Sequence, residues 1–178
     1  MALLESTNSS FGLEYSVHLC PSKYSTEVSS VLPSADLSKL LIVPTCQRSV
    51  MDLVQTGEEV DVEKDRLLER FMVWSETVCK ILSDQGHWAD FIDPCSGLAM
   101  IHKDSQQVYS EVEALSVLKG YKTANAGCCK VLLHPHWGSS VYPATMFTCA
   151  PLDALLSAIK QAEVSEAVLK EAGLSKQT

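Results

Sequence analysis

The sequence predicts an α+β fold in which helices pack on a mainly antiparallel sheet. Segments with strand-like apolar patterns are mostly joined by short links, which is typical of antiparallel strands. A long amphipathic segment interrupts them and a second helix-forming segment closes the chain, so strands and helices do not alternate regularly. The 178 residues, 46% of them apolar, suit one domain with a sizeable core. We expect a polar, disordered tail over residues 1–10 and a single domain over residues 11–173.

The first predicted elements are two strands with a short helix between them. Residues 13–20 alternate in polarity, which predicts a half-buried strand. Pro21 opens the short helix, because proline is tolerated in a first turn. Residues 38–46 form a continuous apolar run and predict a buried strand. Pro44 should mark an edge or a bulge of that strand, since it has no N–H for the ladder.

A long amphipathic helix follows. In DVEKDRLLERFMVWSETVCKILSDQG, residues 61–86, apolar side chains recur at helical spacing. Asp61 is expected to cap the helix and Gly86 to end it. Cys79 lies on its inner half and is expected to be a small core residue. The apolar stripe consists of Leu67, Leu68, Phe71, Trp74, Val78, Ile81 and Leu82.

The second half of the chain continues the mixed pattern. Residues 88–92 predict a strand, DPCSG a tight turn and residues 98–101 a returning strand. A helix is predicted to end at Gly120. Residues 128–133 and SSVYPATMFTCA predict two more strands, and a last helix is predicted from Pro151 to Gly173.

Composition excludes several classes of protein. A net charge of −8 disfavours a nucleic-acid binder, which needs a cationic surface. No apolar run reaches the length that spans a bilayer, so no membrane segment is expected. The seven cysteines are scattered and odd in number, and the first residues do not resemble a signal peptide. We therefore expect free thiols in a reducing compartment.

The stretch NAGCCKVLLHPHWG, residues 125–138, sets two adjacent thiols close in sequence to two imidazoles. Zinc is disfavoured, because an extended strand places His134 about 20 Å from Cys128. A catalytic cysteine would need a distant histidine, and a vicinal redox pair is awkward on a strand, where adjacent side chains face opposite ways. Both alternatives stay open. His134 and His136, which flank Pro135, are expected to end the strand and pack the turn.

Strand alternation separates the two thiols. On a regular strand Cys129 shares its face with Val131 and Leu133, so this face is expected to be buried and Cys129 to be structural. Cys128 shares its face with Lys130 and should be accessible.

The neighbours of Cys128 favour reactivity. Lys130 would favour its thiolate, and Gly127 leaves room for another molecule to approach. An accessible thiolate is a soft metal ligand. The alternative is that Cys128 is one more half-buried thiol.

Four stretches in order carry a family resemblance: LLERF with its helix, GHWADFIDPCSGLA, GCCKVLLHPHWG and VYPATMFT. They resemble the methylmalonic aciduria and homocystinuria type D protein family, the cobalamin-trafficking cblD proteins. The resemblance covers roughly residues 11–159. It implies a modified nitroreductase-like α+β fold without a bound flavin, and a protein that is not an enzyme.

The resemblance also implies a partner and a cofactor. Family members form a heterodimer with the cblC-type cobalamin-processing protein and direct the cofactor toward methionine synthase or methylmalonyl-CoA mutase. The first cysteine of the pair, Cys128 here, is implied as a ligand of the cobalt of cobalamin, which the partner presents and this chain does not hold stably alone. Gly127 and Lys130 are its expected supporting residues.

The resemblance bears on location as well. Family members are often longer at the N-terminus, where they carry a mitochondrial address, and this chain begins close to the predicted domain. We therefore expect a cytoplasmic protein; the alternative is a mitochondrial one, if a targeting segment precedes this sequence. The alternative functions are a small flavin- or thiol-dependent redox enzyme of nitroreductase-like fold, and a scaffold whose cysteines are all structural.

Overall fold

The computed structural model describes the backbone of residues 1–171 and the side chains of residues 1–165. A five-stranded antiparallel sheet has the order β1-β2-β3-β7-β4, and β5 pairs with β6 in a separate two-stranded sheet. The strands are β1 (Ala2–Asn8), β2 (Glu14–Leu19), β3 (Leu41–Arg48), β4 (Ala89–Phe91), β5 (Lys122–Ala126), β6 (Cys129–Leu133) and β7 (Val141–Thr148). The helices are α1 (Ser25–Val31), α2 (Glu58–Asp84), α3 (Glu111–Lys119) and α4 (Leu152–Glu171). The α+β class with a mainly antiparallel sheet is confirmed, and the nitroreductase-like fold stays a prediction.

The prediction of a disordered tail over residues 1–10 is wrong. Residues 2–8 form the edge strand β1, which pairs with β2 from Ala2 opposite His18 to Asn8 opposite Glu14. Leu4 packs against the main core. An edge strand needs apolar residues on one face only, and its backbone bonds do not depend on composition. The domain therefore begins before residue 11.

The strand β3 lies in the middle of the sheet, so the expectation that Pro44 marks an edge is wrong. Pro44 pairs with Thr145 of β7. On the opposite edge of β3, the ladder with β2 pairs Tyr15 with Thr45 and His18 with Ile42, and Pro44 has no paired residue there. The missing N–H therefore falls on the β2 side, where the ladder is interrupted.

Helices cover both faces of the sheet, which explains the continuous apolar run of β3. Val43 faces a core formed with α2 and α4, whose centre includes Phe71 and Trp74. Ile42 faces the opposite way, into a core formed with α1 and α3. Every residue of the strand is thus buried up to Gln47. Burial on two faces replaces alternation with an unbroken apolar sequence.

The helix α2 has the predicted stripe but starts earlier than predicted. It begins at Glu58, after Gly57 rather than at a cap formed by Asp61. Glu58, Glu59 and Asp61 all lie in its first turn, where carboxylates stabilise the positive end of the helix dipole. Because several acidic residues lie in this turn, the sequence alone did not identify the first residue of the helix.

The predicted returning strand over residues 98–101 is reduced to a single bridge between Ile92 and Ala99. The backbone N–H groups of Ile101 and His102 donate instead to the carboxylate of Asp90, at 2.9 and 2.8 Å. A side chain therefore takes the donors that a longer ladder would use.

The last predicted helix is present as α4, and its expected end at Gly173 lies outside the described residues. Within residues 1–171, no helix combines the length and apolar character needed to cross a bilayer.

Candidate functional site

The two adjacent cysteines lie at the tip of the β5–β6 hairpin. Ala126 pairs with Cys129, so Gly127 and Cys128 alone form the connecting loop. Gly127 has φ +63° and Cys128 does not have a positive φ, which is the pattern of a type II′ turn. Such a turn matches the twist of the two strands and favours glycine at its first position. Gly127 thus sets the turn that fixes the direction of the Cys128 side chain.

Both thiols are exposed, which confirms the accessibility predicted for Cys128 and overturns the buried, structural role predicted for Cys129. Their sulfur atoms are 3.9 Å apart and share a weak hydrogen bond. Cys128 belongs to the turn and not to the strand, so alternation does not send the two side chains to opposite faces. Of the residues in β6, Leu132 is buried, whereas Cys129 lies beyond the edge of the core.

The base of the hairpin is fixed to the domain through α3. Leu132 packs in a small apolar cluster with Leu115 of α3, Val141 of β7 and Cys46 of β3. Gly120, in the left-handed conformation, ends α3 and turns the chain directly into β5. The hairpin is therefore held at its base and free at its tip.

The start of α3 is tied to the central sheet by a carboxylate that the sequence analysis missed. Thr145 of β7 donates a hydrogen bond of 2.5 Å to Oε2 of Glu111, and burial raises the pKa of Glu111 to about 7. Ser110 caps the helix by accepting from the N–H of Glu113. The pattern Ser-x-x-Glu at residues 110–113 is a capping-box sequence and could have located this helix start.

Lys130 lines two clefts beside the hairpin. One, of about 280 Å³, lies toward α1 and α3 and includes Lys23 and Glu27. The other, of about 360 Å³, is mostly apolar and includes Lys64 and Cys129. Lys130 itself is exposed, and its predicted effect on the Cys128 thiolate stays a prediction.

Electrostatics separates Cys129 from its neighbour. The pKa of Cys129 is raised, because its thiol hydrogen-bonds to Cys128 and because a second negative charge beside that sulfur is unfavourable. The pair therefore resists carrying two negative charges at once.

Outside the hairpin, burial raises the pKa of every other cysteine thiol. Desolvation is the main cause at each of them, and at Cys95 the carboxylates of Asp93 and Asp65 add to it. None of these thiols is therefore predisposed to ionise. They are Cys20, Cys46, Cys79, Cys95 and Cys149.

His134 has the structural role predicted for it, whereas the side chain of His136, for which the same role was predicted, is exposed. The ring of His134 is buried and stacks on Trp137 with ring centres 3.9 Å apart. Its Nδ1 accepts from the N–H groups of His136 and Trp137, so the proton lies on Nε2, which donates to Glu14 at 3.2 Å. His134 closes the turn after β6 and also joins it to β2.

Metal ligation within one chain would need several converging groups. Among residues 1–165, no three or more His, Cys, Asp or Glu side chains gather in a way that could hold a metal ion. The hairpin offers two sulfur atoms and no histidine. A metal centre that meets Cys128 would therefore have to bring most of its ligands with it.

Comparison with known proteins identifies relatives. A sequence model described as "Methylmalonic aciduria and homocystinuria type D protein" matches residues 2–161. Two proteins named "Cobalamin trafficking protein CblD", from Rattus norvegicus and Homo sapiens, are 34% and 33% identical to this chain over 142 residues. The matches cover 80% of this chain and 48% of each relative, so the chain spans about half the length of the curated relatives it matches. On these matches the chain belongs to the methylmalonic aciduria and homocystinuria type D protein family.

Proposed function

We propose that this chain is a cobalamin-trafficking adaptor that offers the thiolate of Cys128 to the cobalt of cobalamin. The cofactor is presented by a cblC-type cobalamin-processing protein, with which the chain forms a heterodimer. The chain itself carries out no catalysis and needs no flavin. The relatives named as cobalamin trafficking proteins support the choice of cobalamin as the cofactor. The geometry of the hairpin supports the choice of Cys128 as the ligand.

One observation carries the assignment of the ligand: Cys128 is exposed at the free tip of a two-residue turn. Cys128 lines neither of the two clefts beside the hairpin. Apart from the neighbouring residues, no described atom lies within 4 Å of the position that a Cβ of Gly127 would occupy, so the turn is open on this side. The exposed sulfur of Cys128 suits a metal centre carried by another protein, because no described residue of this chain encloses it.

The neighbouring residues have supporting roles in this proposal. Gly127 sets the turn that directs Cys128 outward. Lys130 is exposed on the same hairpin and supplies a positive charge beside the proposed ligand. Thiolate is the form that binds metals, since a soft anionic sulfur donates its charge to the ion.

The test is the visible spectrum of cobalamin bound to its partner protein. Addition of the wild-type chain should change the cobalt absorption, because Cys128 would supply a sulfur ligand to the metal. Cys128→Ala should leave the spectrum of the loaded partner unchanged. Cys129→Ala is the matched control and should behave like wild type, because its exposed side chain contributes little packing. Identical spectra with wild type and Cys128→Ala would show that the ligand assignment is wrong.

The same complex addresses delivery. We propose that the adaptor works in the cytoplasm and directs cobalamin toward methionine synthase or methylmalonyl-CoA mutase, the two destinations that the family resemblance implies. Because Cys128 lies at the tip and the core lies at the base of the hairpin, Cys128→Ala should still form the heterodimer in size-exclusion chromatography.

A further inference from the structure

The contact between the two exposed thiols suggests a chemistry that cobalt ligation does not use. Their sulfur atoms are 3.9 Å apart and already share a hydrogen bond. The two residues lie in and beside a two-residue turn, so neither side chain is packed in the core. Two exposed sulfur atoms in contact are the arrangement of a reactive cysteine next to a resolving cysteine.

We propose that Cys128 and Cys129 form a redox-responsive dithiol in which a hydroperoxide oxidises Cys128 and Cys129 resolves it to a vicinal disulfide. The disulfide would withdraw the sulfur that binds cobalt, so oxidation would switch off ligation. That consequence rests on the proposed function, whereas the thiol chemistry itself does not.

The reaction balances in two steps. In the first, the Cys128 thiolate attacks the terminal oxygen of the hydroperoxide; an S–O bond forms, the O–O bond breaks, and the leaving alkoxide or hydroxide takes a proton from water. In the second, the Cys129 thiol loses its proton and attacks the sulfur of the sulfenic acid. An S–S bond forms, the S–O bond breaks and water leaves. A dithiol reductant reverses the oxidation by two thiol–disulfide exchanges.

The geometry favours this pairing over others. Cys46 and Cys79 are buried, and Cys95 lies in the separate turn held by Asp93. The two sulfur atoms must approach from 3.9 Å to about 2.05 Å, which needs side-chain rotation at exposed positions.

Adjacent residues also make the bond easy to reverse. Their Cα atoms are separated by about 3.8 Å across a trans peptide. This is shorter than the usual range of about 4.4–6.8 Å for a disulfide, and such strain makes the bond easier to reduce. A reducible bond is what a reversible switch requires, in contrast to a structural disulfide.

The sequence allows a direct test by mass spectrometry. Trypsin cleaves after Lys122 and Lys130 and releases TANAGCCK, which contains both cysteines and no others. The protein is treated with hydrogen peroxide, its free thiols are alkylated and it is digested with trypsin. The mass of the peptide is then measured without prior reduction. The expected product is the unalkylated peptide lacking two hydrogen atoms, and prior incubation with a dithiol should restore the doubly alkylated peptide.

Two matched variants assign the roles. In Cys129→Ser the sulfenic acid at Cys128 has no resolving thiol, so it should be trapped by dimedone and should proceed to sulfinic acid with more peroxide. In Cys128→Ser the peptide should resist the same dose of peroxide. The proposal is overturned if wild type forms sulfinic acid at Cys128 without the internal disulfide, or forms disulfides only between chains.

The cobalamin spectrum separates this proposal from the proposed function. Peroxide-treated wild type, freed of peroxide before mixing, should fail to change the spectrum of the loaded partner, and dithiol reduction should restore the change. If reduced wild type causes no change at all, the ligand proposal fails while the peptide result still decides the dithiol proposal. If the oxidised peptide is present and the spectral change is unaffected, the switch is excluded.

Discussion

Replacing Gly127 with alanine tests whether the turn sets the reactivity of Cys128. Gly127 has φ +63°, and a Cβ built on it meets no atom within 4 Å. Gly127→Ala therefore introduces no steric clash with the described residues. Its effect comes from the backbone alone, because holding an L-residue at this positive φ costs about 1–2 kcal/mol. This free energy is lost from the closed hairpin and not from the hydrophobic core.

A loss of about 1–2 kcal/mol changes the ratio of closed to open hairpin by a factor of about 5–30. Backbone amides in β5 and β6 should exchange with deuterium faster by that factor in Gly127→Ala, measured by mass spectrometry. The spectral change caused by cobalt ligation should weaken as well, because Cys128 is presented correctly only by the closed turn.

Gly86→Ala is the matched control for this experiment. Gly86 follows α2, has φ +83° and also has open space around its Cβ position, so it carries a similar backbone penalty far from the thiols along the chain. It should leave both the exchange of the hairpin amides and the cobalt spectrum at wild-type values. If Gly127→Ala and Gly86→Ala give the same hairpin exchange and the same spectrum, the turn does not control Cys128 and the reasoning is refuted.

Two further predictions concern charge. The pKa of Glu63 is lowered to about 2, first by hydrogen bonds from Arg66, so its stabilisation is present above the ordinary pKa of 4.5 and is lost as pH falls through about 2. Glu63→Gln should lower the free energy of unfolding at neutral pH by about 1–3 kcal/mol, less than the full shift implies because the Arg66 side chain is 43% exposed. Between pH 4.5 and about 2, the free energy of unfolding should fall less in the variant than in wild type. Urea unfolding across this pH range measures both, and the same fall in the two proteins would contradict the prediction. Among the exposed thiols, Cys128 should be alkylated before Cys95, whose pKa is raised by desolvation and by nearby carboxylates; peptide mapping of a brief iodoacetamide reaction measures this, and equal labelling would favour a scaffold with structural cysteines only.

The central elements could be predicted from sequence because burial imposes a pattern on them. The apolar stripe of α2 follows from one buried face: five of its seven predicted residues belong to or pack against the main core around Trp74, and Leu67 is buried as well. The unbroken apolar run of β3 follows from helices on both sheet faces. Gly120 ended α3 where predicted, since a left-handed residue suits the end of a helix.

Prediction failed where the backbone, not the side chains, determines the structure. Backbone hydrogen bonds to β2 hold the strand β1 in place. An edge strand needs few apolar contacts, so the polar composition of residues 2–8 did not indicate a strand. At the hairpin, the wrong face of β6 was predicted to be buried. Leu132 is the buried residue of this strand, and it lies on the face opposite Cys129, Val131 and Leu133, so the apolar face in the sequence is not the fully buried one.

The hairpin divides two requirements that oppose each other. A two-stranded ribbon is only marginally stable alone, so it needs an anchor, and Leu132 provides one by packing against Leu115 at the base. A thiol that ligates a metal on another protein must instead be exposed and ionisable. Burial alone would serve the first need and defeat the second, because desolvation raises the pKa of a buried thiol, as it does for Cys46. Placing Cys128 at the free end of an anchored ribbon satisfies both, since the anchor stabilises the turn without removing water from the sulfur.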